Sequence, residues 1–511
     1  MDRLNYWFDF YKKRPMTTWK LKRIRKNFDK TKEVFFTLPF FNKNGFYMKK
    51  GLGLSNFNEI TFSLIVKAFC NLIDIKNNNK ILVIENSNKS LDKYSTIAQE
   101  IFGAKNMEIS VLDQPSQIQN IVSYAFQKIN FDYGIFIQYD IIEKTYSVSF
   151  LDSKGYNIDL GFYEQILNEI NNINFDQIKY HKKAPRIIKT KNLIDNFKDD
   201  SIAHFERKND QRKLKVFIAK NNFSFENFTK RILGSMDIRY FSNTSKKNAN
   251  FKIWKIFRKL KKIKFDLAFL TNSLGSDLDV VLNFNGKTRK LEKHQLLRIF
   301  LELYLMNKKL KQELTQMSFI LIPSFLEKIF EPITQKYQVN LVQSDQVDHQ
   351  NLKMKNFLFA INDDLEFNFN YKKIFFFNKF EFIVIFTELI NYYKTQNGNV
   401  SNVVNFVKNI YPPLYFDKAN LKVEQKTLND FYQLIETKSE KNTLFQNLIL
   451  IKSQNCVLIK ENKIKSMIKL VYDEFEGKLQ MEIFSWNDEE NFVLAENLFS
   501  SILKFFKSYK G

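Results

Sequence analysis

The chain has 511 residues, 44% hydrophobic and 26% charged, a composition that excludes a disordered chain and fits several domains of roughly 100–150 residues. Its formal charge of +24 suits nucleic acid, an anionic membrane surface or an acidic protein, and equally a lysine-rich solvated surface set by base composition. Only 13 glycines occur where a typical chain of this length holds roughly 36, which argues against several glycine-built phosphate cradles.

In chain order, the N-terminus lacks the apolar core of a signal peptide. Lys12–Lys26 is a basic run interleaved with Trp19 and Leu21, read either as an arm for nucleic acid, an anionic surface or another subunit or as a leading helix. From about Ile60 strands and helices alternate. Lys80–Glu85 (KILVIE) is the short apolar run of a buried parallel strand. A helix through Ile97–Phe102, a strand at Glu108–Leu112, a helix near Ile118–Ile129 and a strand at Tyr133–Ile137 follow, which predicts βαβ units. The pattern restarts at Lys213–Ala219, leads to Phe265–Leu270, and begins a third round at Met317–Ile322 that reaches the helix Phe382–Lys394. Leu479–Ser485 then alternates like a strand, and Phe492–Phe506 reads as an amphipathic helix of a small α+β domain.

Polar, charged or proline-bearing stretches at Lys182–Pro185, Asn307–Glu313 and Tyr411–Lys426 predict linkers. The expected domains are 1–185, 186–308, 309–415 and 416–511. The only cysteines, Cys70 and Cys456, lie far apart without metal-ligand spacing, so a reducing compartment and no disulfide framework are expected. No run approaches the ~18–20 uncharged apolar residues of a membrane span. The expected location is cytoplasmic, with a peripheral place on a membrane-attached complex left open.

Three stretches carry a family resemblance. Gly51–Phe62 (GLGLSNFNEITF) resembles the G-x-G-T-N-R-x-N-x-Y-T-V that opens the first helix of the α-D-phosphohexomutases. Phe265–Leu282, followed by Asn285-Gly286, is similar to that family's A-D-L-A-x-A-x-D-P-D-A-D-R-L-G-V-A-V and its Asn-Gly turn. Ile390–Tyr411 is similar to its third-domain A-Y-Y-K-x-x-G-K-T-L-x-D-V-L-x-x-I-Y. Order and spacing agree from about residue 40 to the end. The resemblance implies an α/β fold class: three related mixed α/β domains plus a small C-terminal α+β domain.

The family transfers a phosphoryl group through a phosphoserine, and the resemblance implies four stations. The nucleophile loop T-A-S-H-N-P corresponds to the stretch after Ile137, Gln138-Tyr139-Asp140-Ile141-Ile142, which holds no serine. Asp140 is read as a fixed charge in its place or as a solvated loop residue. The three magnesium aspartates correspond to Asn272, Leu274 and Ser276, with Asp277 at the arginine and Asp279 at the glycine. The sugar loop G-Y-E-E-S corresponds to Ala360-Ile361-Asn362-Asp363-Asp364, where Asp363 keeps one acid of the pair. The phosphate loop R-P-S-G-T-E-P-K corresponds to Val471–Lys478, in which Asp473, Glu474 and Glu476 would repel a dianion and Lys478 alone survives. Tyr47 stands at the arginine of F-G-T-A-G-L-R-G. These departures predict a chain without catalysis, without metal and without cofactor.

Other signals are weaker. Lys252–Lys264 (KIWKIFRKLKKIK) is amphipathic and basic, read as a sheet-covering helix or as a helix lying on an anionic membrane or partner. His181, His204, His294 and His349 show no ligand pattern. No phosphate loop, dinucleotide fingerprint or Ser-His-Asp elbow is present. The leading expectation is a structural or adaptor subunit bound to other proteins, with no specific nucleic acid. The alternatives are a reshaped sugar-phosphate enzyme using Asp277, Asp279 and Asp363, and a regulator binding a polyanion or sugar phosphate.

Overall fold

A computed structural model of the chain describes residues 3–27, 35–42, 44–73, 79–86, 91–114, 119–140, 143–203, 214–219, 223–242, 265–271, 278–284, 287–344, 356–362, 366–369, 378–397, 400, 402–411, 414–437, 448–452, 457–461, 466–473, 477–486 and 489–508. Lys252–Lys264, Asn272, Leu274, Ser276, Asp277, Asp363, Asp364, Glu474, Glu476, His204, His349 and Cys456 lie outside the described residues.

Among the described residues four sheets follow one another along the chain. Across the first lie β1 (Phe40–Asn42), β2 (Gly45–Lys49), β6 (Thr145–Leu151), β5 (Tyr133–Asp140), β3 (Lys80–Glu85), β4 (Glu108–Leu112) and β7 (Arg186–Ile188). The second holds β12 (Lys287–Lys290), β11 (Asp279–Phe284), β10 (Leu267–Leu270), β8 (Lys215–Ile218) and β9 (Arg239–Ser242). The third holds β14 (Asn340–Gln343), β13 (Phe319–Ile322), β15 (Phe357–Ile361) and β16 (Phe367–Asn368). The fourth, β17 (Leu414–Lys422), β21 (Lys478–Trp486), β20 (Ser466–Asp473), β19 (Val457–Glu461) and β18 (Leu448–Lys452), is antiparallel throughout.

One unit recurs in the first three sheets. Its second, first and third strands lie side by side in parallel, and a fourth joins the third antiparallel: β4-β3-β5-β6, β9-β8-β10-β11 and β14-β13-β15-β16. The apolar runs KILVIE, KVFI and FILI open the three units, as a strand buried on both faces requires. Three α/β rounds and a smaller α+β end are thus the observed architecture.

The described helices are α1 (Arg3–Tyr11), α2 (Pro15–Lys26), α3 (Glu59–Leu72), α4 (Asp92–Gly103), α5 (Gln119–Ile129), α6 (Leu160–Asn172), α7 (Thr190–Ile202) and α8 (Phe223–Ser235). After them come α9 (Lys293–Leu310), α10 (Glu327–Tyr337), α11 (Lys379–Asn397), α12 (Asn402–Ile410), α13 (Gln425–Glu436) and α14 (Glu489–Ser508). Alternation along β3 and β5 splits the first sheet's packing. Ile81, Val83, Ile135 and Ile137 face one core with residues of α3, α4 and α6, and Leu82, Ile84 and Phe136 face a second core. The second core continues through the next two units and ends on Leu458, Met467 and Phe484 of the fourth sheet. Helix α9 follows the second sheet in sequence yet packs on α10, α11 and α12 of the third unit.

Three stretches differ from the sequence expectation. Asn307 lies inside α9, and Leu414–Lys422, read as part of a linker, is the strand β17. Its nine rungs against β21 supply the order that its polar residues conceal. Gln138, Tyr139 and Asp140, read as loop, are the last rungs of β5, paired with Ser147, Tyr146 and Thr145.

Gly51–Phe62 forms a turn held by its own side chains. Asn58 is the N-cap of α3: its Oδ1 accepts from the Thr61 amide at 3.0 Å, and its Nδ2 donates to the carbonyls of Gly51, Gly53 and Asn56 at 3.1, 2.9 and 2.9 Å. Gly53 has φ +96°, and a Cβ there would sit 2.8 Å from the Phe35 carbonyl oxygen. One buried amide therefore organises the whole turn. Asn58→Ala is expected to lower the unfolding free energy by about 2–3 kcal/mol, the cap plus several orphaned carbonyls. Urea melts followed by circular dichroism check it.

Candidate functional site

In every unit the third strand turns back into the fourth through a hairpin, and strand pairing marks where each hairpin opens. Asp140 pairs with Thr145, Leu270 with Asp279, Ile361 with Phe367, and in the last sheet Asp473 with Lys478. These are the four places at which the family resemblance leads one to expect nucleophile, metal, sugar and phosphate stations.

At the first hairpin Asn86 brackets Tyr139: its Nδ2 donates to the Tyr139 carbonyl at 3.0 Å and its Oδ1 accepts from the Tyr139 amide at 3.3 Å. The Tyr139 and Tyr146 rings lie 4.6 Å apart across the rung. Asp140 is half-buried, and its Oδ1 accepts from the Glu143 amide at 3.2 Å, which closes its own turn. Tyr47, half-buried on β2, pairs with Phe40 and Ser147 of the neighbouring strands.

Glu85, at the end of β3, is the ionisable group that sequence reasoning missed. Burial, with a smaller push from Asp92, raises its carboxyl from 4.5 to about 7, and among the described residues Oε2 has no hydrogen-bond partner. The signal in the sequence was an acid closing an otherwise apolar strand. The folded state therefore favours the protonated form, while the unfolded chain ionises near 4.5. Stability should fall as pH rises from 4.5 to about 7 and level off above. Glu85→Gln is expected to leave stability unchanged at pH 4 and to raise it by about 1–2 kcal/mol at pH 8, since the half-exposed position trims the full effect. Thermal melts at the two pH values test the sign.

At the second hairpin Asp279 is held by Lys290, with Nζ 2.6 Å from Oδ2. The donors that correspond to a metal set, the Asn272 amide, the Leu274 hydrocarbon and the Ser276 hydroxyl, do not fit a magnesium ion, which takes carboxylate oxygens. Among the described residues no group of three His, Cys, Asp or Glu could hold a metal ion. At the third hairpin Asn362 binds Glu366 three times. Its amide donates to the Glu366 carbonyl at 3.1 Å, its Oδ1 accepts from the Glu366 amide at 2.8 Å, and its Nδ2 donates to Glu366 Oε2 at 3.3 Å. That amide is engaged in closing its turn.

At the fourth hairpin Val471 and Asp473 are strand residues of β20, and Lys478 is the exposed first residue of β21. Tyr472 donates to the Val423 carbonyl at 2.8 Å, tying this edge to the chain entering α13. Lys469 of the same strand, nearly buried, lies 4.3 Å from the Phe325 ring of the third unit. His294, at the start of α9, is packed on Phe416 and Phe484 with ring centroids 4.6 and 6.5 Å away. Burial, then the charges of Arg298, Lys418 and Arg289, lower its pKa to about 3, so it is a neutral junction residue.

No protein-family model matches the sequence, and no curated protein does. Solved structures do. A phosphoglucomutase/phosphomannomutase family protein from Burkholderia thailandensis aligns over 93% of this chain and 99% of its own, with a TM-score of 0.65 and 11% identity. The chain has the phosphohexomutase fold. The exocytosis-sensitive phosphoprotein pp63/parafusin (phosphoglucomutase) of Paramecium, in its open form, aligns over 92% of this chain and 96% of its own, at TM-score 0.58 and 11% identity. The N-acetylphosphoglucosamine mutase of Aspergillus fumigatus aligns over 92% and 96%, at TM-score 0.51 and 8% identity. At such identities the likeness speaks for the fold alone.

Proposed function

We propose that this chain is a non-catalytic protein of the phosphohexomutase fold that serves as a structural or adaptor subunit of a larger protein assembly. The observation that carries the reading is the first hairpin. Pairing of Asp140 with Thr145 leaves Ile141, Ile142, Glu143 and Lys144 between the strands, none with a hydroxyl, and Thr145 is a buried rung. Without a hydroxyl nucleophile no phosphoserine-type intermediate forms. The Asp279–Lys290 ion pair and the self-closing Asn362 turn support the same reading. A reshaped sugar-phosphate enzyme would draw on Asp277, Asp279 and Asp363; Lys290 already holds the second, and the others lie outside the described residues.

Two measurements test it. Incubation with glucose 1-phosphate, glucose 1,6-bisphosphate and Mg²⁺ should give no glucose 6-phosphate above the buffer rate. Native purification sized by mass photometry should give a stoichiometric complex. Turnover, or a clean monomer, would overturn the reading.

A further inference from the structure

The N-terminal helix pair is a rigid platform with an unmatched outer face. On its inner side Leu4, Trp7, Tyr11 and Leu21 are buried in the first unit's core, and Tyr6 stacks on Phe175 at 4.7 Å. The turn between the helices is fixed by Arg14, whose Nη1 donates to Glu59 Oε1 at 2.6 Å, and by Thr18, whose hydroxyl donates to the Tyr11 and Arg14 carbonyls at 2.9 and 3.1 Å. The outer face carries Met16 at 71% and Trp19 at 52% exposure, with Lys20 and Arg23 beside them. Those four sit at i, i+3, i+4 and i+7, the spacing of anchors on a helix that lies in a groove.

The charges on this face are one-sided. From Phe10 to Phe28 the chain has no acidic residue, and among the described residues Lys12, Lys13, Lys20, Lys22 and Lys26 have no acidic partner. The Arg23 guanidinium lies 5.0 Å from the Trp19 ring centroid, so ring and fork are presented together. Lys20 and Arg23 interrupt the apolar residues, so the face lacks the wide apolar stripe of a bilayer-inserted helix. Trp, Met and Arg are enriched in protein–protein interfaces, Trp and Arg also in their hot spots, and an arginine fork matches a carboxylate. The rigid mounting lowers the ordering cost of docking.

We infer that α2 docks through Met16, Trp19 and Arg23 into an apolar groove with an acidic rim on a partner protein. This rests on the subunit reading above and names the chemistry of the partner. Steering by the surrounding lysines makes association faster at low salt.

A photo-crosslinking amino acid at position 19 of the full chain, with mass spectrometry of the native complex, gives the contacted peptide. That peptide should belong to a different protein and be rich in Asp and Glu around apolar residues. Against that purified protein, Trp19→Ala and Arg23→Glu should each weaken affinity at least tenfold, with the melting temperature of the chain unchanged because both side chains are exposed. Crosslinks to nucleic acid, to lipid or to a second copy would overturn the inference, as would no crosslink, or variants that bind as the wild type does. If the native complex persists while the α2 variants leave it intact, this inference fails and the subunit reading stands. If no complex exists, both fail.

Discussion

Glu302→Ala is expected to lower the unfolding free energy by about 3–5 kcal/mol, the cost of breaking a buried, partnered charge from one side. Glu302 is fully buried on α9, and three groups, two from α10 and one from the chain just past α12, converge on it. Tyr337 at the end of α10 donates its hydroxyl to Oε1 at 2.8 Å, Lys336 donates to the same oxygen at 2.7 Å, and Tyr411, just past α12, donates to Oε2. Burial and then the bond to Glu302 raise both phenol pKa values well above the usual tyrosine range. Alanine would leave two enclosed phenols without an acceptor, at about 1–3 kcal/mol each, while Lys336, 41% exposed, can turn to water. Glu302→Gln keeps the shape and one acceptor and should cost less than half as much. An unfolding free energy from urea melts of the alanine variant within ~0.5 kcal/mol of wild type would show that this cluster does not hold the third unit together.

The cluster also explains what sequence reasoning could reach. The three α/β rounds are legible because KILVIE, KVFI and FILI are short apolar runs between helical patterns, and a strand covered on both faces has no other way to be written. The strand Leu414–Lys422 is not, because Asp417, Lys418 and Asn420 make its outer positions look like a linker, and its order comes from β21, some sixty residues on. Glu302 sits in the apolar stretch LRIFLELYL, where nothing local says which groups will meet it; its phenol partners lie 35 and 109 residues away. At the hairpins the family resemblance assigns residues to each expected station, and pairing tells how many residues separate the strands. Asp140 changes from a loop residue to a strand end for that reason.

The second large effect concerns Glu59, in the same turn as Asn58. Glu59→Ala is expected to cost about 3–5 kcal/mol at pH 7. Burial alone would raise this carboxyl; hydrogen bonds from Lys93 at 2.7 Å, Arg14 at 2.6 Å and Tyr11 at 2.8 Å outweigh it and hold the pKa at about 2, below the ordinary 4.5. The sign follows from that depression. The unfolded chain binds the proton near 4.5 and the folded chain only near 2, so the contribution is complete above 4.5 and is lost as pH falls toward 2. Wild type and variant should therefore differ most at neutral pH and converge as pH falls toward 2, read by melting temperature against pH. A gap that stays constant down to pH 2 would show that the carboxylate's charge is not what stabilises the turn. Because Arg14 and Tyr11 belong to the N-terminal helix pair, the loss should be local as well as global. Amide exchange in α2 should accelerate more in Glu59→Ala than exchange in α9, and the helix that presents Trp19 and Arg23 would lose the fixed mounting on which its docking depends.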